Sequence, residues 1–137
     1  MTRDEILAMP AGIEMDVLIA TKVMGWKRYV NTAWSSFAQQ RDGAEQVTWV
    51  EGDLNTFRAS DDWSPSTDIS AAWEVVYKLH PDHSIQIDFD DPETVEEIKW
   101  YCGLYTKGEP FRDYEARADT APLAICRAAL LTVIEKS

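Results

Sequence analysis

The fold is decided by the stretch Thr120-Ala-Pro-Leu-Ala-Ile-Cys-Arg-Ala-Ala-Leu-Leu-Thr-Val-Ile-Glu135. Its first residue is a good N-cap, because a threonine hydroxyl accepts a hydrogen bond from the free amides of the first helical turn. On a helical wheel, Leu123, Leu131 and Ile134 form an apolar arc of the kind that packs on a core. The stretch therefore predicts a C-terminal helix on which the domain closes.

Arg127 is the anomaly of this helix, because it lies inside the apolar arc. A charge there must reach solvent or be paired, since burying it alone is too costly. One interpretation is a structural ion pair with an acidic residue. The other is an anion site for a carboxylate or phosphate, with Arg117 or Arg112 on the preceding strand as helpers.

Two more helices are predicted upstream. Pro10 is placed at the start of a helix that Gly25 ends, and this helix has two apolar stripes. A helix that is apolar on two sides is buried between neighbours or lies in an oligomer interface. A further helix over 68–80 has one clean apolar face, and Ser66 or Thr67 is its expected cap.

The strands are predicted from alternation of apolar and polar residues. Residues 84–89, 98–105 and 114–118 alternate, and the short links between them favour antiparallel pairing. Residues 26–30 and 46–50 are two further strand candidates, joined by a long polar excursion. The pattern as a whole predicts a single α+β domain over 1–137, with a mostly antiparallel sheet and three main helices.

Net charge excludes some functions. The chain has 13 basic and 24 acidic residues, which leaves −11 at neutral pH. Such a surface repels phosphate backbones, so direct DNA or RNA binding is not expected. No apolar run reaches the roughly 20 residues of a membrane span, and the first residues form a polar helix start, so neither a membrane span nor a secretory signal is expected. Cys102 and Cys126 lack metal or redox spacing, which favours buried thiols in a cytoplasmic protein.

No recognisable catalytic or metal motif is present. Six carboxylates lie within 88–97, which suits either a hard cation or, more simply, a solvated loop. His80 and His83 have too few partner ligands for zinc, which favours a turn with exposed histidines. Neither cysteine has a convincing base, and phosphate-binding glycine loops are missing. We therefore expect no enzyme activity, no metal and no cofactor.

Tryptophans are the more informative residues. Trp73 and Trp100 fall on predicted buried faces, whereas the other four lie near loops or element ends, where exposed rings line binding surfaces. The candidate ligand-binding residues are Trp26, Trp63, Arg112, Arg117 and Arg127.

Several segments resemble a known family. These are 9–16, 23–26, 64–68, 71–76 and 119–130, which include the three predicted helices. They are similar to small phage and prophage proteins that carry the phage ABA-sandwich domain. The resemblance implies a sheet layered between helices (an α/β/α sandwich) and a phage-encoded accessory protein in the bacterial cytoplasm. It implies no established reaction and brings no catalytic residues.

Two functions follow as hypotheses. In the first, the chain is a non-enzymatic protein that antagonises host defence by sequestering a small nucleotide-type immune signal, as a homo-oligomer with pockets between subunits. In the second, it is an acidic interaction module that blocks a basic host protein or mimics a nucleic acid.

Overall fold

The computed structural model describes residues 1–31, 46–51, 56–59, 63–89 and 99–134. The helices are α1 (Arg3–Ala8), α2 (Ile13–Leu18), which continues as a π-helical turn over Ile19–Val23, α3 (Ile69–Leu79) and α4 (Ala121–Ile134). The strands are β1 (Lys27–Asn31), β2 (Gln46–Glu51), β3 (Thr56–Ala59), β4 (His83–Phe89), β5 (Trp100–Thr106) and β6 (Asp113–Ala118). The predicted α+β class is confirmed.

The strands form two antiparallel sheets of three strands each, β1-β2-β3 and β4-β5-β6. In the second sheet, Cys102 lies opposite Ile87 on one side and Ala116 on the other. The predicted strands at 26–30 and 46–50 correspond to β1 and β2. Strand β3 was not predicted from the sequence, and the polar excursion and most of the acidic run lie outside the described residues.

Helix α4 lies between the sheet and the other helices. It contacts β5 and β6 with one side and α1, the π-helical turn and α3 with others. Most of its residues are buried, including Leu130 and Leu131. Among the described residues, α4 therefore joins the sheet β4-β5-β6 to the remaining helices.

The local signals at the helix ends are partly as predicted. The Thr120 hydroxyl accepts from the Leu123 amide at 3.4 Å, which confirms the cap of α4. Gly25 has a φ of 73°, in the left-handed region that glycine adopts without strain, and it ends the π-helical turn as predicted. Pro10 lies before rather than inside α2, which begins at Ile13.

The predicted cap of α3 was wrong. Asp68 is the N-cap, and its carboxylate accepts from the Ser70 amide at 3.1 Å. Ser66 is instead fully buried, where its amide donates to Asp16 at 2.9 Å and its hydroxyl accepts from the Gly12 amide at 3.0 Å. Ser66, three residues before the start of α3, makes a long-range contact that sequence spacing does not reveal.

No helix in the described part of the chain is long and apolar enough to cross a membrane.

Candidate functional site

The sheet β4-β5-β6 has an inner face on α4 and an outer face turned away from it. Cys102, Leu104, Ala116 and Ala118 belong to the same core cluster as the α4 side chains. Side chains alternate between the two faces of a strand, so the neighbours of these residues lie on the other side. By register, the outer face consists of Ser84, Gln86, Asp88, Tyr101, Gly103, Tyr105, Asp113, Glu115 and Arg117.

A hydrogen-bonded chain of side chains crosses the outer face. The hydroxyls of Tyr101 and Tyr105 lie 2.7 Å apart, and the Tyr101 hydroxyl lies 2.7 Å from a carboxylate oxygen of Glu115. Each hydroxyl has one proton, so Tyr101 donates to Glu115 and Tyr105 donates to Tyr101. The side-chain oxygen of Gln86 lies 3.3 Å from the Tyr105 hydroxyl and is its alternative acceptor.

Gly103 makes this arrangement possible. It lies between the two tyrosines on β5, and a Cβ atom placed there would come within 2.5 Å of the Tyr105 hydroxyl and 2.6 Å of the Tyr101 hydroxyl. Real carbon–oxygen contacts are longer than this. Tyr101 and Tyr105 are four residues apart, which is roughly 13 Å along an extended strand. Their hydroxyls can meet because Gly103 has no side chain and both rings lean over it.

The environment holds Tyr101 in its neutral form. Burial, the Tyr105 hydroxyl and the Glu115 carboxylate together raise the pKa of Tyr101 well above its ordinary value. The guanidinium carbon of Arg117 lies over the Tyr101 ring, 5.1 Å from its centroid, which is a cation–π geometry. Tyr101 is buried yet lies outside the apolar core cluster, because polar side chains cover it.

An exposed aromatic ring lies beside this chain of tyrosines. Phe111 is 67% exposed, and its ring stacks on Tyr105 with centroids 6.3 Å apart and planes 12° apart. The turn that carries it is fixed by Thr106, whose hydroxyl accepts from the Arg112 amide at 2.7 Å and whose own amide donates to the Arg112 carbonyl at 2.9 Å. Phe111 is therefore held in place while most of its surface faces solvent.

The candidate tryptophans lie elsewhere. Trp26 and Trp63 contact each other with ring centroids 4.5 Å apart, and both are buried in the core cluster. The prediction that loop-end tryptophans would be exposed does not hold for this pair. Trp73, predicted as core, is 42% exposed on α3. Position at the end of a helix or strand did not predict the exposure of these tryptophans, because a ring as large as tryptophan can extend from there back over the core.

Arg127 contacts the backbone. Its Nε and Nη2 donate to the Met9 carbonyl at 3.1 and 2.9 Å, and its Nη1 donates to the Arg117 carbonyl at 2.7 Å. Met9 is the C-cap of α1, so one guanidinium ties the end of α1 and strand β6 to α4. Burial lowers the pKa of Arg127, and Asp119 opposes that shift. The described hydrogen bonds of Arg127 go to backbone carbonyls. The sequence had suggested an acidic side chain or a bound anion as its partner.

The three candidate arginines are thus partly brought together. Arg117 supplies its carbonyl to Arg127 and its side chain to the outer face. Arg112 is exposed and follows Phe111 directly, at the opposite end of that face. The structure adds Tyr101, Gly103, Tyr105, Phe111 and Glu115, which the sequence reasoning missed. The available signal was the Tyr-x-Gly-x-Tyr spacing, whose residues share one strand face.

Both cysteines and one of the two histidines are buried. Burial raises the pKa of Cys102 to about 12 and raises that of Cys126 as well, so both remain thiols at neutral pH. His83 is buried with its Nδ1 3.2 Å from the Leu79 carbonyl, so the prediction that both histidines are exposed is wrong for it. Among the described residues, no group of three or more His, Cys, Asp or Glu is placed to hold a metal ion.

Comparison with known families identifies the chain at the level of its domain. The family model of the phage ABA sandwich domain matches residues 17–130. The chain belongs to this family. The match to the phage ABA sandwich domain runs from α2 into α4, so it includes both faces of β4-β5-β6 and the turn that carries Phe111. No curated protein and no solved structure matches the chain.

Proposed function

We propose that this phage ABA sandwich protein is a non-enzymatic binding protein of the host bacterial cytoplasm, and that the outer face of β4-β5-β6, together with Phe111, is its binding face. The observation that carries the proposal is the exposed Phe111 ring, stacked on Tyr105 at the edge of an ordered polar face. A rigid ring that is left open to solvent is a ready partner for a flat ligand.

The ligand class that fits this face is a small nucleotide. A nucleobase stacked on an aromatic side chain gains about 1–3 kcal/mol, whatever the base. Tyr105 supports the ring from behind, so stacking requires little further ordering of the protein. Arg117 is the basic side chain of this face, where it lies over the Tyr101 ring, and Arg112 follows Phe111 at the other end of the sheet; both would have to bind phosphate groups against the overall charge of −11.

Sequestration rather than turnover is supported by the chemistry of the described residues. The two thiols are buried and protonated, and Tyr101 has a raised pKa and donates its proton to Glu115. A nucleophile needs a lowered pKa or an adjacent base. In this proposal the protein acts by lowering the free concentration of a nucleotide-type immune signal, which antagonises host defence.

The test is retention of a nucleotide by the purified protein. The protein is incubated with a bacterial nucleotide extract, washed, and heated, and the released compounds are identified by mass spectrometry. We expect an intact nucleotide from the native protein and much less from Phe111→Ala and Arg117→Gln. Empty native protein at saturating extract, or release of a chemically altered nucleotide, would contradict non-enzymatic sequestration.

Matched controls separate the face from general effects. Ile13→Ala removes an exposed apolar side chain from α2, and Arg3→Gln removes one positive charge from α1. Both should retain the nucleotide as the native protein does. Equal loss in the control variants would show that retention depends on net charge or stability and not on the outer face.

The charge of −11 favours a second candidate, an acidic module that binds a basic host protein or mimics a nucleic acid. Asp88 and Glu115 are exposed carboxylates of the outer face and would serve this function. Capture of a basic protein that weakens steeply with salt, and that weakens on Glu115→Gln but not on Phe111→Ala, would favour this candidate over nucleotide sequestration.

A further inference from the structure

The hydroxyl of Thr106 contacts the backbone on both sides of Phe111. It accepts a hydrogen bond from the Arg112 amide at 2.7 Å, and its single proton can be donated to the Pro110 carbonyl or the Arg112 carbonyl, each 3.3 Å away. The Pro110 carbonyl belongs to the peptide group that precedes Phe111, and the Arg112 amide belongs to the peptide group that follows it. One side chain therefore holds both peptide groups that flank the exposed ring.

This hydroxyl takes a position that belongs to the backbone in a regular strand pair. The ladder between β5 and β6 ends with Tyr105 opposite Asp113, and the next step along the two chains is Thr106 with Arg112. The Thr106 amide donates to the Arg112 carbonyl at 2.9 Å, as in an ordinary antiparallel pair. In such a pair the returning amide donates to the backbone carbonyl opposite, whereas here it donates to the threonine side chain. The side chain therefore sets the direction in which the turn carries Phe111 away from the sheet.

Thr106 is not itself part of the outer face. Side chains alternate along a strand, so Tyr105 lies on the outer face and its neighbour Thr106 lies on the same side as Leu104. The residue opposite Thr106 on β4 is His83, which is buried. An effect of Thr106 on a ligand of the outer face must therefore act through the turn and its aromatic ring.

The base of the turn is held independently of the hydroxyl. The Lys107 amide donates to the Asp82 carbonyl at 3.0 Å, which joins the first residue of the turn to the segment before β4. The backbone hydrogen bonds between β5 and β6 do not involve the Thr106 side chain either. Removal of the hydroxyl should therefore leave the two strands paired and release only the part of the turn around Phe111.

We propose that Thr106 is the positioning residue of the binding face, because its hydroxyl holds the Phe111 ring against Tyr105 in the orientation on which a nucleobase stacks. This inference rests on the proposed function of the outer face. A ring that is already ordered loses little conformational freedom when a base stacks on it, so most of the stacking energy is retained as affinity. A ring that rotates freely must first be ordered, which weakens binding.

The first measurement follows the stacked rings without any ligand. The Phe111 ring shifts the NMR signals of the Tyr105 ring protons, and Phe111→Ala provides the signal positions without that ring. Thr106→Val keeps the shape of the side chain but has no hydroxyl, and its Tyr105 signals should move most of the way towards those of Phe111→Ala. Thr106→Ser keeps the hydroxyl, and its Tyr105 signals should stay close to the native ones. Native signals in Thr106→Val would overturn the proposal.

The second measurement is nucleotide retention from the bacterial nucleotide extract, added below saturation. Thr106→Val should retain about fivefold less than the native protein, and Thr106→Ser should restore retention. Thr67→Val is the matched control, because it removes a hydroxyl that contacts the Ser64 carbonyl at 3.4 Å in the loop before α3. Circular dichroism confirms that each variant is folded, and Thr106→Ala replaces Thr106→Val if the latter does not fold.

The two measurements distinguish this proposal from the function on which it rests. Native protein that retains no nucleotide contradicts sequestration, and the Tyr105 signals alone then decide whether Thr106 orders Phe111. If the native protein does retain nucleotide, equal retention by Thr106→Val would overturn the positioning role. An equal loss of retention in Thr106→Ser or in Thr67→Val would overturn it as well, because the effect would then not depend on the Thr106 hydroxyl.

Discussion

The two faces of the sheet β4-β5-β6 are built from the same three strands, yet their side chains differ in kind. The inner face presents small and apolar groups, among them Cys102, Leu104 and Ala116, which are buried on α4. The outer face presents tyrosines, carboxylates and an arginine, joined by hydrogen bonds and a cation–π contact. Alternate residues of each strand thus differ in role: one set packs on α4, and the other forms the polar outer face.

This difference separates folding from binding within a single element. Burial of the inner face supplies the hydrophobic free energy that holds the sheet to α4. The outer face lies outside the apolar core cluster, and its order comes from the meeting of two tyrosine hydroxyls over Gly103. Changes to the inner face should therefore alter stability first, and changes to the outer face should alter binding first.

The largest effect is expected from Leu104→Ala on the inner face. Leu104 is fully buried in the core cluster, and truncation of a buried leucine to alanine costs about 2–5 kcal/mol through lost transfer free energy and the cavity left behind. Urea denaturation followed by circular dichroism measures the free energy of unfolding. Asp113→Ala, at the exposed start of the neighbouring strand β6, is the control and should change it by less than about 0.5 kcal/mol. Equal losses of unfolding free energy in the two variants would contradict the division into a stabilising inner face and a binding outer face.

A somewhat smaller loss is expected from Arg127→Met, which keeps the length of the side chain. The change removes three hydrogen bonds and leaves the Met9 and Arg117 carbonyls without their donor, at a cost of about 2–3 kcal/mol. Arg127→Lys should recover only part of the lost stability, because one ammonium group cannot reach both carbonyls as the planar guanidinium does. Thermal unfolding provides the comparison. A native melting temperature for Arg127→Met would show that the clamp contributes nothing.

Much of the inner architecture could be predicted because it depends on local periodicity. The α4 arc and cap, the face of α3, and the alternation in β4 to β6 are properties of neighbouring residues. The Tyr-x-Gly-x-Tyr spacing indicates which β5 residues share the outer face, but their contacts could not be predicted, because the one between Tyr101 and Glu115 joins two strands and depends on register. Trp26 and Trp63 were misplaced for the same reason, since only the tertiary fold brings these two rings together.

Gly103→Ala should have a small effect on stability and a larger one on binding. The new methyl group pushes both hydroxyls, and the Tyr105 ring carbon that carries one of them, away from the strand, while alanine in a strand interior gains back about 0.5–1 kcal/mol relative to glycine. We expect the free energy of unfolding to change by less than about 1 kcal/mol. Nucleotide retention by the same preparation should fall severalfold. Unchanged retention would mean that the tyrosine pair does not shape the binding face.

The smallest effect is expected at Asp16, a buried carboxylate on the core side. Burial raises the pKa of Asp16 above 3.8, and the hydrogen bonds from Ser66 lower it only in part. Because the folded pKa is the higher one, the native state takes up the proton first as pH falls. The native protein should therefore gain stability relative to Asp16→Asn as pH is lowered from neutral towards 3.8.

Asparagine retains an acceptor for the Ser66 amide, so the Asp16→Asn variant isolates the charge. Denaturation of both proteins at a series of pH values provides the difference in free energy. A difference that is independent of pH would show that the Asp16 carboxylate is not desolvated.

The most direct test of the central claim is to map binding onto the two faces. Amide chemical shifts of the isotopically labelled protein are followed while a fractionated bacterial nucleotide extract is added. The account predicts the largest shift changes at β5, β6 and the turn around Phe111, with small changes in α3, and their loss in Phe111→Ala. Shift changes confined to α3 or to the helices around Trp26 and Trp63, or none at saturating extract, would contradict the assignment of the outer face as the binding face.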